Sequence, residues 1–140
     1  MSALSVEAHL ASALETAETG PNAVGLSGGS DSTVLLHALA RSKLARKRGL
    51  RAIHVDHGLH AQSAEWASQA VAMAAALDVP CTVLLVNVQR GEGLGPEAAA
   101  RVARYAAWAD ELRDGEILSL AHHRDDQIET LLLKLLRGAG

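Results

Sequence analysis

The feature that most constrains the fold is a short apolar segment followed by a glycine loop and a long helical stretch. Residues 23–26 form the apolar segment, Ser27-Gly28-Gly29-Ser30-Asp31-Ser32 the loop, and residues 30–48 the helical stretch, which Gly49 ends. Adjacent glycines accept positive φ and let backbone N–H groups surround an anion. A helix N-terminus adds partial positive charge. The pattern therefore predicts a phosphate site at the end of the first strand.

Further short aliphatic runs at residues 52–55, 82–88 and 116–120 predict three more strands. Between and around them, helical periodicity covers residues 5–18, 64–77, 96–113 and 125–136, with Ser63 as the N-cap of the helix over 64–77. Strands that alternate with helices predict an α/β fold with a parallel sheet and helices on both faces. We expect one domain across residues 1–140, in which the fourth strand lies beside the glycine-loop strand.

The composition limits the classes of protein. With a net charge of −3, the chain lacks the basic surplus typical of a domain that binds nucleic acid alone. The single cysteine, Cys81, allows neither an intrachain disulfide nor a cysteine-rich metal site. The N-terminus does not resemble a signal peptide, and no apolar run has the length of a membrane span. These features predict a cytoplasmic protein without membrane contact.

The basic cluster that ends the second helical stretch has two interpretations: a nucleic-acid patch, or cations that complement the negative end of a helix dipole. The second is favoured. The cluster comprises Arg41, Lys43, Arg46, Lys47 and Arg48.

Asp31 is the unusual residue of the glycine loop. No lysine follows the glycines as in a Walker A loop, and the spacing differs from the dinucleotide fingerprint. Asp31 is either an ordinary acid in the first turn of a helix or a ligand of Mg²⁺, because a carboxylate beside phosphate needs a cation between them. The double-glycine serine loop around Asp31 favours the second interpretation, a ligand of Mg²⁺.

The sequence of this loop resembles the Ser-Gly-Gly-x-Asp-Ser pattern of the PP-loop, or N-type, ATP pyrophosphatases. The resemblance implies ATP as the ligand and an adenine nucleotide α-hydrolase fold of Rossmann-like type.

The segment Ile53-His54-Val55-Asp56-His57-Gly58-Leu59-His60 ends the second predicted strand. Its histidines and aspartate could indicate a metal site. However, His54 and Asp56 share one face of an extended strand and His57 lies past its end, which is poor ligand geometry. We expect His54, Val55 and Asp56 to contact the adenosine of ATP.

Two later segments add polar groups. Arg101 lies one helical turn from Glu97 and can form a surface ion pair with it; alternatively, Arg101 or Arg104 contacts phosphate or RNA. After the fourth predicted strand, His122, Asp125, Asp126 and Glu129 fall around a single helical turn. Acids at a helix N-terminus are normal, yet two histidines, three carboxylates and a phosphate loop at one sheet edge favour a functional site.

Together these segments resemble the tRNA(Ile)-lysidine synthetase family over residues 20–140. The resemblance implies that ATP adenylates the C2 carbonyl oxygen of the wobble cytidine in tRNA(Ile) with a CAU anticodon. Free lysine would then attack C2 and expel AMP. Asp31 would hold Mg²⁺, the loop from Ser27 to Ser32 would hold phosphate, and Arg101 would contact phosphate or substrate. His122 and Asp126 would assist the reacting centre or the lysine amine.

Other functions are possible for such a chain. Cytidine thiolases of similar fold need cysteine pairs, which one cysteine does not supply. A non-catalytic module that binds ATP or AMP, or another PP-loop ATP pyrophosphatase, remains an alternative. Lysidine synthetases continue past the Arg-Gly-x-Gly segment that ends this chain, so we expect the domain to be incomplete at its carboxyl end.

Overall fold

The computed structural model describes residues 20–26, 30–58, 60–87, 95–122 and 127–131. The strands are β1 (Asn22–Gly25), β2 (Leu50–Asp56), β3 (Cys81–Leu85), β4 (Ile117–His122) and β5 (Gln127–Leu131). The helices are α1 (Ser30–Arg41), α2 (Lys43–Arg48), α3 (Ser63–Ala76) and α4 (Pro96–Glu111). The sheet order is β3-β2-β1-β4-β5, with β1 to β4 parallel and β5 antiparallel to β4. The predicted α/β fold is confirmed, and β4 lies beside β1 as expected.

Both faces of the sheet are covered. On one face, α1 and α3 pack against β1 and β2 through aliphatic side chains that include Leu36, Leu39 and Ala74. On the other face, α4 packs through Trp108 and Leu112. Successive strand residues point to opposite faces, so a strand buried on both sides is mostly apolar, as β1 is after Asn22. Among the described residues, no helix has the length and apolar character needed to cross a membrane.

The predicted helix over residues 30–48 is two helices instead of one. The break lies at Ser42, whose Oγ accepts a hydrogen bond from the Ala45 N–H at 3.1 Å and caps α2. A serine side chain competes in this way with the helical hydrogen bonds of the backbone. Gly49, with φ of 111°, ends α2 where the sequence predicts a helix end.

Arg46 on α2 joins the ends of two longer helices. Its guanidinium donates to the Ala40 carbonyl at 2.9 Å, to the Asp78 carbonyl at 2.8 Å and to the Leu77 carbonyl. These carbonyls lie at the end of α1 and just past α3, where a cation complements unpaired C=O groups. This arginine of the basic cluster therefore has a structural role.

Two further helix predictions were wrong. Ser63 is the first residue of α3 and Gln62 occupies the cap position, because the Ser63 hydroxyl accepts from the His60 N–H at 3.2 Å instead. Residues 127–131, within the predicted helix 125–136, form β5, with Glu129 opposite Leu120. The unpaired backbone groups at the edge of β4 accept a neighbouring strand, and β-branched Ile128 and Thr130 favour one. The predicted helix over residues 5–18 lies outside the described residues.

A buried ion pair joins β2 to the start of β4 at the amino edge of the sheet. Arg51 and Glu116 are 5% and 2% exposed, and the guanidinium donates two hydrogen bonds of 2.8 Å to the carboxylate. The Arg113 N–H donates a third, at 2.9 Å. Burial alone would raise the pKa of Glu116, but these hydrogen bonds outweigh it and hold that pKa below its usual range. The pair fixes the strands on either side of β1.

The ion pair predicts loss of stability in acid. Because the folded-state pKa of Glu116 lies below the unfolded value of about 4.3, its contribution is full above that pH and declines as the pH falls through the folded-state pKa. At pH 7, Glu116→Gln should lower the free energy of unfolding by about 2–4 kcal/mol, since it removes the buried carboxylate of the pair and leaves the guanidinium only the more distant Glu111 carboxylate, at 3.7 Å. Urea unfolding at pH 7 and pH 3 would show the difference from wild type shrinking in acid.

The control is Glu65→Gln, an exposed acid in the first turn of α3. It should change the free energy of unfolding by no more than about 0.5 kcal/mol. A Glu116→Gln effect of equal size at both pH values would contradict the assigned role of the ion pair.

Candidate functional site

A cavity of about 390 Å³ opens at the carboxyl ends of β1, β2 and β4. The strand order reverses at β1, because α1 leads from it to β2 on one side while β4 pairs on the other. Ligands of parallel α/β sheets bind at such a point. The lining residues are Gly25, Leu26, His54, Val55, Asp56, His57, His60, Ser63, Trp66, Arg101, Arg104, Tyr105, Trp108 and Leu120.

The chain's two tryptophans and one tyrosine all line this cavity. Trp66 stacks on His60, with ring centroids 4.7 Å apart and planes inclined by 27°. Tyr105 meets Trp108 edge-on at 5.4 Å, and the guanidinium carbon of Arg101 lies 5.4 Å from the Tyr105 centroid. The walls therefore offer flat π surfaces beside cationic groups, a combination suited to planar or anionic ligands.

His54 connects the end of β2 to the end of β1. The imidazole is 6% exposed, and its Nδ1 lies 2.8 Å from the Leu26 carbonyl oxygen. Since a carbonyl only accepts, Nδ1 carries the proton and donates it. Leu26 directly precedes the glycine loop, so this bond helps to position the start of the loop.

Asp56 shapes the turn that follows β2. One carboxylate oxygen accepts a hydrogen bond of 2.8 Å from the Gly58 N–H. Gly58 has φ of 65°, a left-handed conformation that glycine adopts without strain. The turn leads the chain towards His60 and Trp66 on the cavity wall. Because one oxygen of Asp56 accepts the Gly58 N–H, that oxygen already has a hydrogen-bond partner within the turn.

Three buried nitrogen atoms of the cavity walls have no hydrogen-bond partner among the described residues. They are His57 Nε2, Arg104 Nε and Trp108 Nε1. Burial, followed by the charges of Arg104 and His54, lowers the pKa of His57, against the opposing hydrogen bond to the Ala100 backbone and the charge of Asp56. Buried polar groups are paired in most folded proteins, and these three atoms have almost no accessible surface, so they lie within the cavity walls.

The absence of a side chain at Gly25 allows close packing at the bottom of the cavity, which we call the cavity floor. A Cβ at this position would overlap Leu120 Cδ2 and lie 3.0 Å from Trp108 Cζ2. The missing side chain therefore lets Leu120 of β4 and Trp108 of α4 approach the end of β1. Sequence analysis did not single out this glycine, because the constraint arises from tertiary contacts.

The structure brings together four of the residues predicted from sequence. His54, Val55, Asp56 and Arg101 all line the cavity. Ser32 is buried in α1, and His122 is the last residue of β4. Asp31 lies in α1, but its side chain and that of Ser30 are not described. Residues 27–29 and Asp126 lie outside the described residues, and the described part holds no cluster of metal-ligating side chains.

Sequence analysis missed Trp66, Trp108 and His60 as wall residues and gave His57 no role. One signal was available. In a chain with 2% aromatic residues and 49% hydrophobic residues, aliphatic side chains suffice for the core. Aromatic residues that the core does not need are candidates for a binding site.

The chain matches the PP-loop domain family over residues 3–140. It belongs to this family. PP-loop domains bind ATP, so the ATP predicted from the loop sequence is confirmed at the level of the family. Mg²⁺ stays a prediction. The solved structure of an NH3-dependent NAD synthetase from Campylobacter jejuni, in complex with the nitrate ion, shares the fold with a TM-score of 0.58 at 15% identity. The structural match covers 84% of the present chain and 56% of the synthetase chain.

Relatives of this PP-loop domain are named tRNA(Ile)-lysidine synthase, as the resemblance to that family predicts. The protein of Alkalilimnicola ehrlichii is 57% identical over 84% of the chain, and that of Xanthomonas axonopodis pv. citri 54% identical over 86%. The protein of Bordetella pertussis is 47% identical over 94%. The chain spans 26%, 28% and 42% of the lengths of these relatives, respectively.

The contact at Gly25 predicts that a side chain there disturbs the cavity. Gly25→Ser should lower the free energy of unfolding by about 1–3 kcal/mol, because the added atoms displace Leu120 or Trp108 from a packed position. It should also shift the tryptophan fluorescence spectrum. Gly95→Ser is the matched control, since a Cβ at Gly95 meets nothing within 4 Å and serine is a good N-cap for α4. Equal stability of the two variants would contradict the assigned packing.

Proposed function

We propose that this PP-loop domain, which we place across residues 1–140, is the ATP-binding part of an RNA-modifying ligase. The enzyme adenylates the wobble cytidine of tRNA(Ile) with a CAU anticodon and joins free lysine to form lysidine, releasing pyrophosphate and AMP. One observation carries the proposal. The cavity lies where β1 runs into the glycine loop, in a chain that is 47–57% identical to proteins named tRNA(Ile)-lysidine synthase.

The first step is attack of the cytidine C2 oxygen on the α-phosphorus of ATP, which expels pyrophosphate. In the proposal, the loop from Ser27 to Ser32 and the N-terminus of α1 hold the phosphates. His54 fixes the loop through the Leu26 carbonyl, and Arg101 faces the negative charge that develops in the transition state. Asp31 with the loop hydroxyls offers the oxygen ligands that Mg²⁺ prefers, and the ion would neutralise phosphate charge.

The second step joins the lysine Nζ to C2 of the cytidine and breaks the bond from C2 to the adenylated oxygen, so that AMP leaves. The attacking amine must lose a proton. His122 ends β4, two residues after Leu120 of the cavity wall. We place His122 and Asp126 at this step as groups that orient the lysine or accept its proton.

Pyrophosphate release from the complete gene product tests the proposal. With ATP, Mg²⁺, lysine and tRNA(Ile) bearing CAU, we expect release that depends on the tRNA and yields AMP and lysine-modified tRNA. Asp31→Asn should reduce the rate by at least about 10²-fold, because the phosphate charge then lacks its metal.

Asp110→Asn is the matched control, since Asp110 is an exposed acid near the end of α4. Its rate should equal that of wild type. ATP binding without tRNA-dependent release would reject the ligase and leave a nucleotide-binding module or another ATP pyrophosphatase as the better account.

A further inference from the structure

Helix α2 presents an exposed basic surface that the cavity does not include. Lys43 and Lys47 are exposed, whereas Ala45 between them is buried. Residues two positions apart in a helix lie about 200° from each other around its axis, so both lysines point away from the packed side of α2. Leu44 beside them is 37% exposed. We call the surface formed by Lys43, Leu44 and Lys47 the lysine face.

The helix dipole explains only part of the basic cluster in which these lysines lie. Arg46 complements carbonyl groups at the ends of α1 and α3. Lys43 instead lies in the first turn of α2, where a positive charge opposes the dipole of α2, and that turn has no acidic residue. Lys43 and Lys47 are also one turn apart, so their like charges repel each other. Neither ammonium group has a partner among the described residues.

Basic charge is concentrated at α2 in a chain that is acidic overall. Five of the 13 basic residues lie between Arg41 and Arg48, and no aspartate or glutamate occurs from residue 32 to residue 55. The remainder of the chain is therefore more acidic than its net charge of −3 indicates. Helix α2 is about 9 Å long, which is close to the Debye length of about 10 Å at 0.1 M salt. Its cations therefore act together on a nearby anion.

The position of α2 is fixed by contacts within the chain. Ser42 caps its first turn, the Gly49 N–H donates to the Ala45 carbonyl at 3.0 Å, and Arg46 ties it to the carbonyl of Asp78 beyond α3. A partner that binds the lysine face therefore does not have to order the helix, and this lowers the entropic cost of binding.

The lysine face lies at the edge of the sheet opposite the cavity. Gly49, which ends α2, directly precedes β2, and its carbonyl accepts a hydrogen bond of 2.7 Å from the N–H of Asn22, the first residue of β1. Strand β2 reaches the cavity at its other end. With a rise of about 3.3 Å per residue, the two edges are roughly 20 Å apart. One nucleotide does not span this distance, but a double-stranded stem carries phosphate charge along its whole length.

We propose that the lysine face binds the phosphate backbone of the RNA substrate, in a stem distant from the base that reacts. The assignment rests on the proposed function, which supplies the RNA. Lysine binds phosphate as a point charge, and contacts to phosphate position a nucleic acid without reading its sequence. The lysine face therefore raises the affinity for the RNA and orients it, while the bond-making steps take place at the cavity.

The salt dependence of RNA binding tests this assignment in the complete gene product. The double variant Lys43→Gln/Lys47→Gln should bind tRNA(Ile) bearing CAU about tenfold more weakly at about 0.1 M salt. The slope of log K against log salt concentration should become shallower by about 1–2, because two phosphate contacts are lost. The KM for tRNA should rise, whereas kcat and the KM for ATP should equal those of wild type. Unchanged affinity with an unchanged slope would overturn the proposal.

Two controls separate phosphate contact from other effects of substitution. Lys43→Arg/Lys47→Arg keeps both charges and should retain the tRNA affinity within about twofold. Arg113→Gln removes an exposed cation from the segment between α4 and β4 and should leave the salt slope unchanged. An arginine variant as weak as the glutamine variant, or an equal loss in Arg113→Gln, would reject the lysine face as the contact.

A membrane surface is the other anionic partner to examine. If wild type binds vesicles that contain anionic lipid, and the glutamine variant loses this binding but keeps its tRNA affinity, the RNA assignment is rejected.

Failure of this assignment is distinct from failure of the proposed function. If tRNA-dependent pyrophosphate release persists and the glutamine variant binds tRNA like wild type, only the lysine face is rejected. If the variant binds tRNA more weakly but wild type forms no lysine-modified tRNA, only the ligase is rejected.

Discussion

Parallel pairing of β1 with two neighbours is the constraint on which the site depends. Each residue of Asn22–Gly25 is buried, and the strand pairs with β2 on one side and β4 on the other. Parallel pairing places the carboxyl ends of all three strands at one edge. At the opposite edge, the Arg51–Glu116 ion pair spans the same three strands. The register of the sheet and the position of the cavity are thus fixed from both ends of β1.

Because of this arrangement, aliphatic residues form most of the core and aromatic residues lie at the cavity. The described core is built from alanine, leucine, valine and isoleucine, with Trp108 as the aromatic member that also reaches the cavity. Small side chains such as Gly25 and Ala23 let helix α4 lie close to β1, which brings the indole of Trp108 to the floor. The cavity walls then carry aromatic rings and cationic side chains, while the core clusters behind them are apolar.

Local sequence patterns predicted what depends on neighbours in the chain. The strand periodicity placed His54 and Asp56 at the end of β2, and the alternation of elements placed β4 beside β1. Sequence patterns failed to predict the features that depend on side-chain or tertiary contacts. The break at Ser42 depends on a hydroxyl that competes with the backbone, and β5 depends on the open edge of β4. The burial of His57 depends on packing between the turn after β2 and α4, which sequence periodicity does not predict.

We expect the carboxyl edge of β1, β2 and β4 to be the nucleotide site of this PP-loop domain. A crystal structure with a non-hydrolysable ATP analogue whose α,β-bridge is a methylene group tests this claim most directly. The phosphates should lie against the loop from Ser27 to Ser32, and the nucleoside should contact the end of β2 at His54–Asp56. A nucleotide bound away from this edge, with the cavity empty, would contradict it.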